Sequence, residues 1–172
     1  MGEFIQKISS YNIFNYLFSG IIFCAIVERF TQYVITQNNV FIDIFIFYFI
    51  GLSISRIGSL ILEPILIKIK VLKSYDYKDY LETSKNYNEI KIFLEVANMY
   101  RTFLSMFIVF SIIKIYELIS IKYEINSTIV KIFLAIGFIV LFLCSYIKQS
   151  KYILNRIKFY KNKNQGDKNG NS

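Results

Sequence analysis

Twenty consecutive residues, Ile8–Val27, carry no charge, and Ile132–Ile147 adds sixteen more. A helix of about twenty residues rises roughly 30 Å, the thickness of a bilayer's hydrocarbon core. Runs of this kind leave a chain few folds, because in lipid every backbone N–H and C=O must be satisfied within the structure. Of the 172 residues, 55% are apolar and 19% charged, and the charges fall in blocks between the apolar runs. A water-soluble domain of this size would carry about a quarter charged residues, spread over its surface. Segregated charge is the pattern of an all-α polytopic membrane protein.

Four windows satisfy the length of a spanning helix: Asn12–Ile35, Val40–Leu62, Thr102–Ile121 and Ile129–Ile147. Gln37-Asn38-Asn39 joins the first two tightly and Lys122–Thr128 joins the last two, which predicts two antiparallel hairpins. Between the hairpins, Glu63–Arg101 holds seven basic and six acidic residues. The C-terminal stretch Lys148–Ser172 holds seven basic residues and one acid, Asp167. Both short connections are poor in Lys and Arg. The positive-inside rule then sets the middle segment and both termini in the cytoplasm of a bacterial inner membrane. The start has Lys7 as its only basic side chain and no small-x-small site after the first run, so a cleaved signal peptide is not expected.

The middle segment is too periodic for a loose loop. Pro64 suits a helix start or kink, and Ile65, Leu66, Ile69 and Leu72 follow at helical spacing. Asp76 and Asp79 suit the N-cap and first turn of a helix over Tyr77–Ser84. Ile90, Phe93, Leu94, Ala97, Tyr100 and Leu104 form one stripe running into the third span. The division is thus residues 1–62 and 102–147 for the two hairpins, 63–101 for a helical cytoplasmic segment, and 148–172 for a basic helix. The last of these ends in a disordered tail from Asn162 to Ser172, rich in Lys, Asn and Gly.

Spans two and three are the ones interrupted by charge. Ile44–Ser55 and Thr102–Ile113 are free of charge for twelve residues each, about 18 Å of helix. They are therefore expected inside the bundle, with spans one and four nearer lipid. Glu28, Arg29, Asp43, Lys114, Glu117 and Lys131 fall toward the outer half of their helices, and Arg56 ends the span-two run on the inner side. An intramembrane charge costs at least about 2.5–3.5 kcal/mol on insertion scales, so each needs a partner or water. Two readings stand side by side: a charged vestibule of a pore, or ion pairing and snorkelling near the interface. Lys114 and Glu117, three residues apart, suit a pair on one helix. Gly51, Ser55 and Ser59 make a small-residue stripe that favours close helix approach, either between copies or within one chain.

The chemistry of an enzyme is missing. There is no histidine, hence no imidazole base or ligand. Cys24 and Cys144 sit deep in apolar runs without metal-ligand spacing and read as packing residues. No glycine-rich phosphate loop is present. No catalytic residue, metal or cofactor is expected.

The tail carries the other notable pattern. Lys148, Lys151, Lys158 and Lys161 lie along one broad helical face, with Tyr152, Phe159 and Tyr160 interleaved and Arg156 beside them. Cations among aromatic planes suit single-stranded nucleic acid, whose phosphates and bases they match. They equally suit anionic lipid headgroups beside a membrane span.

The stretches Ser55-Arg56-Ile57-Gly58-Ser59-Leu60-Ile61-Leu62-Glu63-Pro64 and Glu95-Val96-Ala97-Asn98-Met99-Tyr100-Arg101-Thr102 resemble small bacterial membrane proteins of phage-defence loci. The chain is most similar in layout to the transmembrane effectors of Hailong-type systems. That resemblance implies a homo-oligomer, a tetramer, held inactive by a single-stranded DNA oligomer from a partner nucleotidyltransferase. It implies a ligand site on the C-terminal helices, here Lys148–Lys163, and membrane disruption when the ligand is lost. The expected function is an oligomeric effector that forms or gates a pore under an anionic cytoplasmic ligand. A non-conducting scaffold docking a protein partner through residues 68–101 is the competing expectation.

Overall fold

The computed structural model describes residues 2–74, 77–87, 89–123 and 127–169. Among these there is no strand. The elements are α1 (Gly2–Phe30), α2 (Val40–Ile57), a π-helical turn (Gly58–Leu62), α3 (Glu63–Lys68), α4 (Tyr77–Asn86), α5 (Glu89–Tyr123) and α6 (Ser127–Asn169). Four segments are long and apolar enough to cross a membrane: Tyr11–Phe30, Val40–Lys68, Glu89–Tyr123 and Thr128–Lys161. The chain is an all-α polytopic membrane protein.

The first span is shorter than its apolar run suggested. α1 stops at Phe30, and residues 31–39 form a non-helical connection, not a three-residue turn. α2 opens on Asn39, whose side chain accepts from the backbone N–H groups of Phe41 and Ile42. That satisfies two of the donors a helix start leaves open.

The layering follows expectation in part. α2 packs on α1, α5 and α6 as an interior helix, but α1, expected nearer lipid, packs on both α2 and α5 and has the most buried window of the four spans. It supplies Ser19, Phe23, Cys24 and Val27 to a core completed by Ile54 of α2 and Met106 of α5. α6 is the outer helix, with no buried residue in its apolar window. The charge-free length of a run is thus a poor guide to its place. Small residues decide it here, because lipid is as apolar as leucine and helices associate where backbones can come close. A Cβ on Gly20 would lie 1.8 Å from the carbonyl oxygen of Phe47, and one on Gly51 would lie 1.8 Å from that of Tyr16. α1 and α2 are in backbone contact at both places.

Below that contact, span two changes pitch. The N–H of Glu63 donates to the carbonyl of Gly58, five residues back. Pro64 follows at once; it lacks an N–H, and its ring crowds the carbonyl four residues earlier. The π turn widens the helix where an α-helical ladder would have been broken, which is a recurrent cause of a local bend. α3 ends at Lys68, and two residues on Lys70 takes a left-handed φ of 62°, with Val71 and Leu72 donating to the carbonyl of Leu66.

α4 begins at Tyr77, as its sequence suggested; Asp76, its expected cap, lies outside the described residues. α4 packs on α5, and its Leu81 and Ser84 are buried. α5 runs without a break from the middle segment into the membrane, as the apolar stripe predicted. α6 carries on as a helix to Asn169, into the stretch read as disordered from Asn162. Residues 170–172 lie outside the described residues.

Candidate functional site

The expected site residues gather at two ends of the bundle. At one end are Glu28, Asp43, Lys114 and Glu117, and every one is engaged with the 31–39 connection or with its neighbours. Glu28 Oε1 accepts from the N–H groups of Ile35 and Thr36 at 2.8 and 2.7 Å. Asp43 Oδ1 accepts from Gln37 N–H at 2.7 Å. Glu117, 5% exposed, accepts from Gln32 N–H at 2.8 Å and from Lys114 Nζ at 2.6 Å. Lys114 Nζ also donates to the carbonyl of Phe30, the last residue of α1. A cation at a helix C-terminus is favourable, because the final carbonyls are unsatisfied.

These carboxylates therefore serve as acceptors for an irregular backbone that has no ladder of its own. Of the two readings of the charges, the structural one accounts for these four. Lys114 and Glu117 form the expected pair. Arg29 and Lys131 are exposed on α1 and α6 and are not part of the cluster.

The basic end is built differently. Glu63 stands immediately after the π turn. Its Oε2 lies 2.7 Å from Arg101 Nη1 of α5 and 3.7 Å from Lys148 Nζ of α6. Lys148 Nζ donates to both the carbonyl and the hydroxyl of Ser59, each at 2.7 Å. One carboxylate and one serine thus tie three helices at a single level. Arg56, one turn above, donates to the Tyr16 hydroxyl at 3.2 Å, and Tyr11 of α1 donates to the carbonyl of Glu95. Arg101 Nε is buried without a hydrogen-bond partner among the described residues.

The small-residue stripe is used within the chain. Gly51 meets α1, the Ser55 hydroxyl lies 3.4 Å from that of Thr102 on α5, and Ser59 receives Lys148 from α6. Its members turn to three partners in succession, which leaves no continuous face for a second copy. Cys24 packs in the core as expected, whereas Cys144 is exposed on α6.

Of the tail residues, Lys148 and Tyr152 reach the body of the protein. The Tyr152 ring lies 5.3 Å from that of Tyr77, and Lys148 stands 6.0 Å from the Tyr152 ring. Lys151, Lys158 and Lys161 are exposed on α6, Arg156 lies 6.0 Å from the Tyr160 ring, and Phe159 packs edge-on to Tyr160. Tyr77, Tyr152, Glu63 and Arg101 border a cavity of about 960 Å³ between α3, α4, α5 and α6.

Glu63 and Arg101 were missed as functional candidates. The signal was present in one respect: each is the charge that bounds a span, an acid leaving span two and a base entering span three. Antiparallel neighbours set such residues at one depth. Among the described residues, no group of three His, Cys, Asp or Glu could hold a metal ion.

No protein-family model, no curated protein and no solved structure matches the chain.

Proposed function

We propose that the protein is an oligomeric inner-membrane effector that forms or gates a pore under control of a cytoplasmic anionic ligand. The observation that carries this reading is the junction of Lys148 with Ser59. It ties the base of the basic tail helix to the π turn of span two, so a ligand on the tail pulls directly on a spanning helix. The ligand acts through different affinity for two arrangements of that junction, as any effector must. The exposed cations and rings from Lys151 to Lys161 suit a single-stranded DNA oligomer. That ligand fits the Hailong-type anti-phage role, with membrane disruption as the output.

An aqueous path in this reading runs between chains. The monomer's interior is filled by Phe23, Val27, Ile54 and Met106, while α6 offers a wholly exposed face from Lys131 to Val140. Orientation with both termini cytoplasmic follows from the positive-inside rule. The test is membrane potential in cells inducing the protein, beside Lys151→Glu with Lys158→Glu. Depolarisation by the native chain, altered by the tail variant, is the expected result. No depolarisation by either, with insertion verified, defeats the proposal.

A second reading has its own observation. Ile92, Phe93 and Tyr100 are exposed on the part of α5 that precedes the charge-free run. A non-conducting scaffold would dock a partner protein there, through residues 68–101. A stoichiometric partner in a pull-down, without leakage, selects it.

A further inference from the structure

The cavity beside Glu63 is lined by two kinds of residue. Leu66, Leu94 and Leu104 are apolar, while Lys68, Lys73, Arg101 and Lys148 stand with one carboxylate, Glu63. Arg101 and Lys148 share that carboxylate, and the buried Arg101 Nε has no acceptor among the described residues. Lys68 and Lys73 are exposed at the rim. The cavity therefore combines an excess of cations with apolar lining, at the level where spans two and three leave their charge-free runs. Its volume of about 960 Å³ is far more than one inorganic anion fills.

We infer that this cavity is a binding site for an anionic phospholipid from the leaflet at the basic end of the bundle. The phosphate is drawn to Lys68, Lys73 and Arg101, where cations exceed the one acid. An acyl chain lies along Leu94 and Leu104, and Leu104 is itself 46% exposed toward the surrounding membrane. Basic pockets between spanning helices are suited to such headgroups, and each nearby Lys or Arg adds attraction. A free phosphate would satisfy the cations and leave the apolar lining bare, so the lipid is the occupant that matches both. Bound there, the lipid braces α6 against α3 and α5. The inference requires only that the chain lies in a membrane, and stands apart from any pore.

The experiment uses the full chain purified in mild detergent with mixed phosphatidylglycerol and phosphatidylcholine. Retained lipid is counted by native mass spectrometry, and thermal stability is read with each lipid or with inorganic phosphate added. Phosphatidylglycerol is expected to be retained over phosphatidylcholine and to raise Tm. Lys68→Gln with Lys73→Gln should lower its retention roughly thirtyfold, as removal of two interfacial cations at about 1 kcal/mol each implies. These side chains are exposed, so the fold is not at risk. Ala97→Trp, which fills the cavity from α5, should displace the lipid with the double variant's cations intact. Equal retention by the native chain and both variants would overturn the inference. So would inorganic phosphate stabilising the protein as much as phosphatidylglycerol, with no lipid retained.

Discussion

Lys148 Nζ binds Ser59 twice, through its carbonyl and its hydroxyl, at 2.7 Å each. The carbonyl belongs to the π turn, and the residue five positions on is Pro64, which has no N–H to give it. A single ammonium group thus closes a local defect in span two and docks span four in one act.

The two bonds are not equivalent under mutation. Ser59→Ala removes the hydroxyl and keeps the carbonyl acceptor, whereas Lys148→Met removes both contacts and leaves Glu63 with Arg101 alone. A hydrogen bond to a charged group contributes about 1.5–3 kcal/mol when well sheltered. Lys148 is about one-third exposed, so the lower part of that range applies, roughly 1.5 kcal/mol for Lys148→Met. Ser59→Ala should cost about a third as much. Thermal unfolding of the two variants in one detergent checks the order; equal losses would mean that the carbonyl contact contributes nothing.

The glycines separate close contact from open helix. Gly51→Ala puts a Cβ 1.8 Å from the backbone oxygen of Tyr16, which only a separation of α1 from α2 relieves. A loss of several kcal/mol, or failure to fold, is expected. Gly137 on α6 has nothing within 4 Å of the same position. Gly137→Ala should be neutral or gain up to about 1 kcal/mol from helix propensity. Expression and thermal stability of the pair decide the matter.

The carboxylates at the other end make residue-specific predictions. Glu28→Gln weakens the acceptor of the Ile35 and Thr36 amides and should speed their hydrogen exchange about tenfold, near 1.4 kcal/mol. Glu117→Gln should do the same at Gln32 and leave Ile35 unchanged. Exchange read by mass spectrometry over residues 31–39 distinguishes the two. Uniform acceleration in both variants would mean that the connection opens as a unit.

Charge reversal tests the Glu63–Arg101 pair. Glu63→Arg alone gathers three cations at one level and should destabilise the protein by about 2–4 kcal/mol. Glu63→Arg with Arg101→Glu restores one pair and should recover roughly half of that loss. No recovery in a double-mutant cycle on thermal stability would assign the pair no coupling.

Much of the architecture was legible before the structure. The four spans, the helix opening at Tyr77 and the continuity of α5 through Arg101 all follow from period and length. Pro64 pointed to a bend, though not to a π turn, since the choice between bending and widening depends on what lies opposite. What sequence withheld is rotational. Asn15, Ser19 and Gly20 give α1 a small, close-packing face, but a long charge-free run reads the same whether it faces lipid or a neighbour. The charged residues misled for a related reason. Glu28 looked unpaired, and Glu117 looked paired with Lys114 alone, because their other partners are backbone N–H groups of the 31–39 connection, which no side-chain arithmetic counts.

α6 meets the described body through Phe138 and Phe142 on Phe49, Lys148 on Ser59 and Glu63, and Tyr152 on Tyr77. These contacts run along about four turns of the helix, while its membrane window holds no buried residue. Most of the surface of α6 is thus left to lipid, and the bilayer is the solvent against which its apolar side chains are matched.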